Sequence, residues 1–270
     1  MAGSFAEAES LFTETLEMRR RWLGVDAPET LGALNSIAMM RWRRNDLAGA
    51  EEAVREAMRL GSRRGLADSN PYTLNSMHVL GVILRDQGHY EQSELQLRRA
   101  LAGRRMVLGP NQAPVAATLR QLGVLLHRTG RDAEAEQLLR QALQIYRLRQ
   151  PARNLNIAGV ESELAGVITA RKRPSEAEPL LRDALSIQSE QLKPSDPRLA
   201  ETRRVLGVTL AALGNQAEAE TLLLASYRVA KDHPFGVGER QATLRSLIAF
   251  YVERRRADEA DAYRRLLSAR

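Results

Sequence analysis

Apolar positions along the chain recur at helical spacing, and one helical word returns at a fixed interval. GRDAEAEQLLRQAL (Gly130 to Leu143), KRPSEAEPLLRDAL (Lys172 to Leu185) and GNQAEAETLLLASY (Gly214 to Tyr227) carry small residues, acids and paired leucines at matching places. Their apolar residues lie three and four apart, which is one face of an amphipathic helix. Weaker copies begin at Phe5, Leu47, Tyr90 and Ala257. Aligned on the helix starts Phe5, Leu47, Tyr90, Asp132, Pro174, Gln216 and Ala257, the copies are 42, 43, 42, 42, 42 and 41 residues apart. A period that runs through the whole chain predicts stacked units, none able to bury its apolar face alone.

Each period contains a second helix just before the repeated one. It is marked by a large apolar residue followed by a small one: Ile37-Ala38, Leu80-Gly81, Leu122-Gly123, Leu164-Ala165, Leu206-Gly207 and Ile248-Ala249. The repeated helix answers with a small residue three positions after its start: Ala8, Ala50, Ser93, Ala135, Ala177, Ala219 and Ala260. Small residues on two facing helices let the backbones draw together while the neighbouring Leu or Ile fills the groove. Asn45, Gly88, Gly130 and Gly214 stand where the first helix of a pair must stop in a left-handed conformation. Asn70-Pro71 and Asp196-Pro197 read as an N-cap followed by Pro in the first turn. The fourth repeat departs from this punctuation, with Lys172 in place of Gly and no clear cap between Arg153 and Ile157.

The chain therefore reads as one domain, 1–270, divided into units 5–46, 47–89, 90–131, 132–173, 174–215, 216–256 and 257–270. These units hold thirteen helices and no strand. Composition agrees: 44% of 270 residues are hydrophobic but only 4% aromatic, a balance that favours helix over strand. Cysteine is absent, which excludes a disulfide framework, a thiolate metal site and a Cys nucleophile. Residues Met1 to Leu16 carry acids where a signal peptide needs an apolar run. No stretch approaches the roughly 18 apolar residues of a membrane span, so a cytoplasmic, non-membrane protein is expected.

The chain resembles tetratricopeptide repeats of the long, kinesin-light-chain type often found in bacterial signalling proteins. The resemblance rests on the inter-pair loops LGVDAPETLGALNSIA (Leu23 to Ala38) and LGPNQAPVAATLRQLG (Leu108 to Gly123) and on the AEAE-x-LL helix starts, and it spans essentially the whole sequence. It implies an all-α, right-handed superhelical solenoid of stacked antiparallel helix pairs. Relatives of this type bind extended peptides with acidic residues around an apolar anchor, through groove Asn and basic side chains. Asn35 matches the groove-Asn position. The equivalent positions are otherwise His78, Arg120, Ser162, Arg204 and Ser246, a departure from the family's row.

Net charge is +7, and since Lys occurs only at positions 172, 193 and 231, nearly all the positive charge is Arg. Arg suits bidentate contact with carboxylate or phosphate. The histidines His78, His89, His127 and His233 include no pair at the spacing of a helical zinc site. Gly236-Val237-Gly238 reads as a loop, and the acids at helix starts suit the helix dipole. No nucleophile sits beside an activating base, so no catalytic residue, metal or cofactor is expected and the protein reads as a non-enzyme.

Function then falls to the inner face lined by the first helix of each pair. Helical spacing from the small residue places Asn35, Trp42, Arg43, Asn75, His78, Arg85, Asp86, Arg120, His127 and Arg128 there in the first three repeats, with Arg204 further on. One acid among these basic side chains predicts a cleft that attracts an acidic or phosphorylated peptide or an acidic partner surface. As solvated side chains, Arg85, Arg120 and Arg128 should tolerate reversal to Glu with stability nearly unchanged. In the next two repeats, small residues at Gly159, Ser162, Gly166, Thr169, Ala170, Val208, Ala211 and Ala212 predict a notch. A nucleic-acid-binding solenoid is the alternative, disfavoured by a single inner Trp for base stacking. A ligand-sensing module of a larger kinase or transcription regulator is a second alternative. The first helix keeps Phe5, Phe12 and Leu16 without a partner, whereas Arg264 replaces the apolar core residue of the last copy. That asymmetry predicts either an upstream neighbour in a longer parent or self-association through the first helix.

Overall fold

Among the described residues, the computed structural model has thirteen helices: α1 (Ala2–Leu23), α2 (Pro28–Arg43), α3 (Leu47–Arg63), α4 (Pro71–Asp86), α5 (Tyr90–Leu108), α6 (Ala113–Arg128), α7 (Asp132–Arg149), α8 (Leu155–Ala170), α9 (Pro174–Gln191), α10 (Pro197–Ala212), α11 (Gln216–Asp232), α12 (Val237–Glu253) and α13 (Ala257–Ser268). The structure describes residues 2–232 and 237–268, with side chains from residue 10 onward except that of Val237. His233, Gly236 and the side chains of Phe5 and Ala8 lie outside the described residues, which contain no strand. Six of the seven repeated helices begin at the residue that the period marks; α1 begins earlier, at Ala2. Val237 and Gly238 open α12 instead of a loop.

The turn residues explain these boundaries. Asn45, Gly88, Gly130, Lys172, Gly214 and Arg255 all have positive φ, between 58° and 88°. Every described pair thus reverses through one left-handed residue, even where the side chain is Lys or Arg. Asn70 and Asp196 cap α4 and α10 by accepting from the amides of Tyr72 and Arg198, each at 2.9 Å. The fourth repeat has its cap as well: Asn154 Oδ1 accepts from the Asn156 amide at 2.8 Å and opens α8. The expectation of an uncapped start there is corrected. The Asn stands directly before the helix, and no Pro follows to advertise it.

The chain divides into two compact units, Met1–Gly130 and Arg131–Arg270. In the first, α2 packs on α3 and α4 on α5 as tight antiparallel pairs, α1 lies against α2, and α6 against α5. The small residues do the work expected of them. Ala38 and Ala50 are fully buried. Gly81 faces Ser93, whose hydroxyl donates to the Gly81 carbonyl at 2.6 Å. A Cβ on Gly81 would stand 2.6 Å from Leu97 Cγ and 3.3 Å from the Ser93 carbonyl oxygen. Leu16, Leu31, Leu34, Val54, Leu80 and Ile83 fill the space beside these contacts.

In the second unit, α8–α9, α10–α11 and α12–α13 form the pairs, with α7 against α8. A Cβ on Gly207 would lie 2.9 Å from Leu223 Cγ and 3.1 Å from the Ala219 carbonyl oxygen, the same lock three repeats on. Leu139, Leu181 and Leu223 are fully buried at the core position where α13 instead has exposed Arg264, held by Asp261 at 2.7 Å.

Much of the arginine is spent on the protein itself. Arg140 and Arg182 bind the glutamates one turn before them, Glu136 and Glu178, at 2.7 and 2.8 Å. Each also reaches the first turn of the next repeated helix, Arg140 to Glu176 and Arg182 to Glu218, the latter bidentately at 3.0 Å. Arg171 and Arg173 close on Glu136 as well. The acids at helix starts therefore favour the dipole and also tie one repeat to the next. Among the described residues, no helix is long and apolar enough to cross a membrane.

Candidate functional site

The inner helices of the first unit, α2, α4 and α6, carry ten of the eleven residues singled out from the sequence. Each helix is one period from the next, so residues roughly forty apart meet side by side. A row of polar bonds results. Ser76 donates to Asn35 Oδ1 at 3.0 Å, joining α4 to α2. Trp42 Nε1 donates to Asp86 Oδ2 at 2.7 Å, joining the same helices near their ends. Arg128 donates to Asp86 Oδ1 at 2.7 Å, and Arg85 to Gln121 Oε1 at 2.5 Å, joining α4 to α6.

Asp86 is the hub of this row. It accepts from Arg85 at 3.0 and 3.1 Å in addition to Arg128 and Trp42. Burial pushes its carboxyl pKa up, but the charges of Arg85 and Arg128 and the hydrogen bonds from Arg85 and Trp42 outweigh burial and leave it below the ordinary value. Read as a lone acid in a basic cleft, Asp86 is instead the counter-ion around which that cleft is built. Arg85 is only 6% exposed. Its expected solvation is corrected: Arg85 is part of a buried ion pair, and reversing it to Glu is not a surface change.

His78 is similarly recast. It stands 3.4 Å from the Thr118 hydroxyl, and burial, then the charges of Arg104 and Arg85, lower its pKa to about 3. At neutral pH it adds no positive charge to the cleft. Asn75 accepts from Arg104 at 3.2 Å, and Arg104 also holds Thr118 Oγ1 and the Pro114 carbonyl at 2.7 and 2.9 Å. Arg43 and Arg128 are exposed, and Arg120 and His127 are partly buried. Arg204 belongs to the second unit, where Glu201 neutralises it at 2.6 Å and Ser246 accepts from it at 3.1 Å.

Asn35 differs from the rest of the row. It is 2% exposed, and its Nδ2 has no hydrogen-bond partner. Turning the amide would let Nδ2 donate to Ser76, whose hydroxyl also reaches the Tyr72 carbonyl at 3.0 Å. Oδ1 would then be the atom without a partner, so one half of this buried amide is unsatisfied either way.

The small residues of the second unit are partly used in bonding. Ser162 accepts from Thr202 at 3.1 Å, and the Thr169 and Thr209 hydroxyls are 2.9 Å apart, so α8 and α10 meet along this row. The nearest atom to a Cβ built on Gly166 is Val205 Cγ1 at 3.7 Å.

Sequence reasoning missed Ser76, Thr118 and Gln121, whose types carry no charge signal. It also missed Arg104, because that residue lies on the repeated helix. A signal existed there: fourteen residues after the starts of α3, α5, α7, α9 and α11, the repeated helix has a buried Gly61, Arg104, Tyr146, Gln188 and Ala230, and only one of these is charged.

A tetratricopeptide-repeat family model matches residues 1–63, 33–106, 72–147 and 156–232. No curated relative matches the sequence. Among solved structures, the chain is similar to nearly identical TPR-like repeats of the kinesin-light-chain kind from Podosopora anserina, with 21% identity, a TM-score of 0.59, and 75% of this chain and 95% of that one covered. It is similar to BtubC (BKLC) from P. vanneervenii, with 18% identity, a TM-score of 0.66 and coverage of 83% and 90%. It is also similar to a Rap protein complexed with competence and sporulation factor, with 14% identity, a TM-score of 0.75 and coverage of 98% and 70%. At these identities the likeness concerns the fold.

Proposed function

The chain belongs to the tetratricopeptide-repeat family, and from that premise we propose that it is a non-catalytic protein-interaction scaffold that holds an extended acidic peptide on the inner helices α2, α4 and α6. The observation that carries this reading is the buried Asn35 amide with one unsatisfied atom. Leaving such a group unpaired costs roughly 1–3 kcal/mol, and a peptide backbone laid along the row would supply the missing partner. Exposed Arg43 and Arg128 support a preference for acidic side chains, with phosphorylated ones included by the same chemistry. The fold likeness to a Rap protein complexed with competence and sporulation factor, and to NprR in complex with its cognate peptide NprX, supports an array of this kind as a peptide holder.

The test is fluorescence anisotropy with a library of labelled extended peptides. Acidic members should bind, their charge-reversed counterparts should bind more weakly, and affinity should fall as salt rises. Asn35→Ala should weaken the best binder by roughly tenfold, since one hydrogen bond to a buried amide is lost. Equal affinity for the variant, or no preference between acidic and basic peptides, overturns the reading. A further part of the proposal is self-association through α1, supported by exposed Leu11, Met18 and Trp22. Sedimentation should show a dimer that Trp22→Glu disperses; a monomer at all concentrations would remove this part.

A further inference from the structure

The first half of α8 breaks a pattern that the preceding inner helices keep. At their seventh position α2, α4 and α6 have buried Leu34, Met77 and Leu119, whereas α8 has Glu161 there. Glu161 is fully buried. Its Oε1 accepts from Arg147 Nη2 of α7 at 2.7 Å, and the Arg147 side chain is about half exposed. Its Oε2 has no hydrogen-bond partner. A bare carboxylate oxygen inside a protein is costly, because the water it gave up has not been replaced.

Three helices of the second unit pack against α8: α7, α9 and α10. From α7 comes Arg147. From α9 comes Asp183, which is exposed and brings a second carboxyl within hydrogen-bonding reach of Glu161. Two ionised carboxylates have no hydrogen between them, so neither can satisfy the other. On α10, Arg203 stands one period on from Glu161, and its guanidinium donates to the Pro194 carbonyl at 3.5 Å. On α8 itself, Glu163 lies two residues along, on another side of the helix. Burial pushes the Glu161 pKa up, the Arg147 hydrogen bond opposes it, and the Asp183 charge adds to the rise, which leaves it above the ordinary value.

We infer that one proton between Glu161 Oε2 and the Asp183 carboxylate latches α8 to α9, and that the latch opens as pH rises. In the closed state the protonated Oε2 donates to Asp183 while Oε1 keeps its bond from Arg147. On opening, the Oε2–H bond breaks, the proton leaves to solvent past exposed Asp183, and two carboxylates sharing one site repel each other. Because the folded carboxyl lies above its ordinary value, the contribution is complete below the unfolded pKa of about 4.3 and is lost as pH rises through the folded pKa. The latch lies within the second unit and does not rest on a peptide held by α2, α4 and α6.

The experiment is urea unfolding of the full chain from about pH 4 to about pH 8, wild type beside Glu161→Gln. The variant amide copies the protonated carboxyl, donating to Asp183 and accepting from Arg147 at every pH. Relative to it, the wild-type folding equilibrium constant should fall with rising pH, by up to about tenfold per pH unit until the folded pKa is passed. Asp183→Asn gives Oε2 a permanent donor from the exposed side and should shrink that fall; if Glu161→Gln does not fold, wild type against Asp183→Asn decides alone. Amide exchange compared at matched pH should show the wild type losing protection in α8 and α9 and not in α12 and α13. A wild type that keeps pace with Glu161→Gln across the range, a fall undiminished in Asp183→Asn, or protection lost outside α8 and α9 would overturn the inference.

Discussion

Adding one methyl group to Gly81 tests the helix-pair lock directly. In isolation, Gly→Ala in a helix interior gains about 1 kcal/mol of propensity. Against this, the new Cβ of Gly81→Ala would stand 2.6 Å from Leu97 Cγ and 3.3 Å from a backbone oxygen of the partner helix. Leu97 is fully buried. Overpacking of this kind costs roughly 1–3 kcal/mol, so the net change should be a destabilisation of about 1 kcal/mol. Gly166 is the internal control. Its nearest neighbour would be a Val205 methyl at 3.7 Å, an ordinary contact, so Gly166→Ala should keep the propensity gain and stabilise by about 0.5–1 kcal/mol. Urea unfolding of the two variants beside the wild type reads both signs. If Gly81→Ala stabilises as much as Gly166→Ala, close backbone approach is not what selects the small residue.

Two further predictions concern electrostatics and capping. Asp86→Asn leaves Arg85 buried without its counter-ion and should destabilise by roughly 1–3 kcal/mol near neutral pH. Because the folded carboxyl lies below its ordinary value, Asp86 stabilises fully above the unfolded pKa of about 3.9, and its contribution is lost as pH falls through the folded pKa. The gap between wild type and variant in urea titrations should therefore close below about pH 4; a gap independent of pH would refute this assignment. Asn154→Ala should cost about 0.5–2 kcal/mol through loss of the α8 cap, with Asn156→Ala nearly neutral; equal effects would place the cap elsewhere.

The fold was legible because it rests on local and periodic signals. Helix starts at Leu47, Tyr90, Asp132, Pro174, Gln216 and Ala257 follow from the period, and the small residues at Gly81, Ser93, Gly207 and Ala219 follow from the need for close approach. The inner face was legible as a set of positions but not as a set of bonds. A count of charges along the chain sets Asp86 as one acid against several arginines, whereas three helices bring Trp42, Arg85 and Arg128 to that one carboxylate. Nor does charge counting register that Arg140 and Arg182 bind glutamates of the next repeat. That link was recoverable: an Arg eight residues after one start and a Glu two after the next lie 36 apart in a 42-residue period. Burial of Arg85 and neutrality of His78 depend on packing between repeats, which no window along the chain contains.

Amide hydrogen exchange of the chain with and without a saturating acidic peptide tests the central claim most directly. Slowed exchange concentrated in α2, α4 and α6, and weaker in Asn35→Ala at the same peptide concentration, is the predicted result. Protection confined to the repeated helices α3 and α5, with the inner helices unchanged, would contradict it.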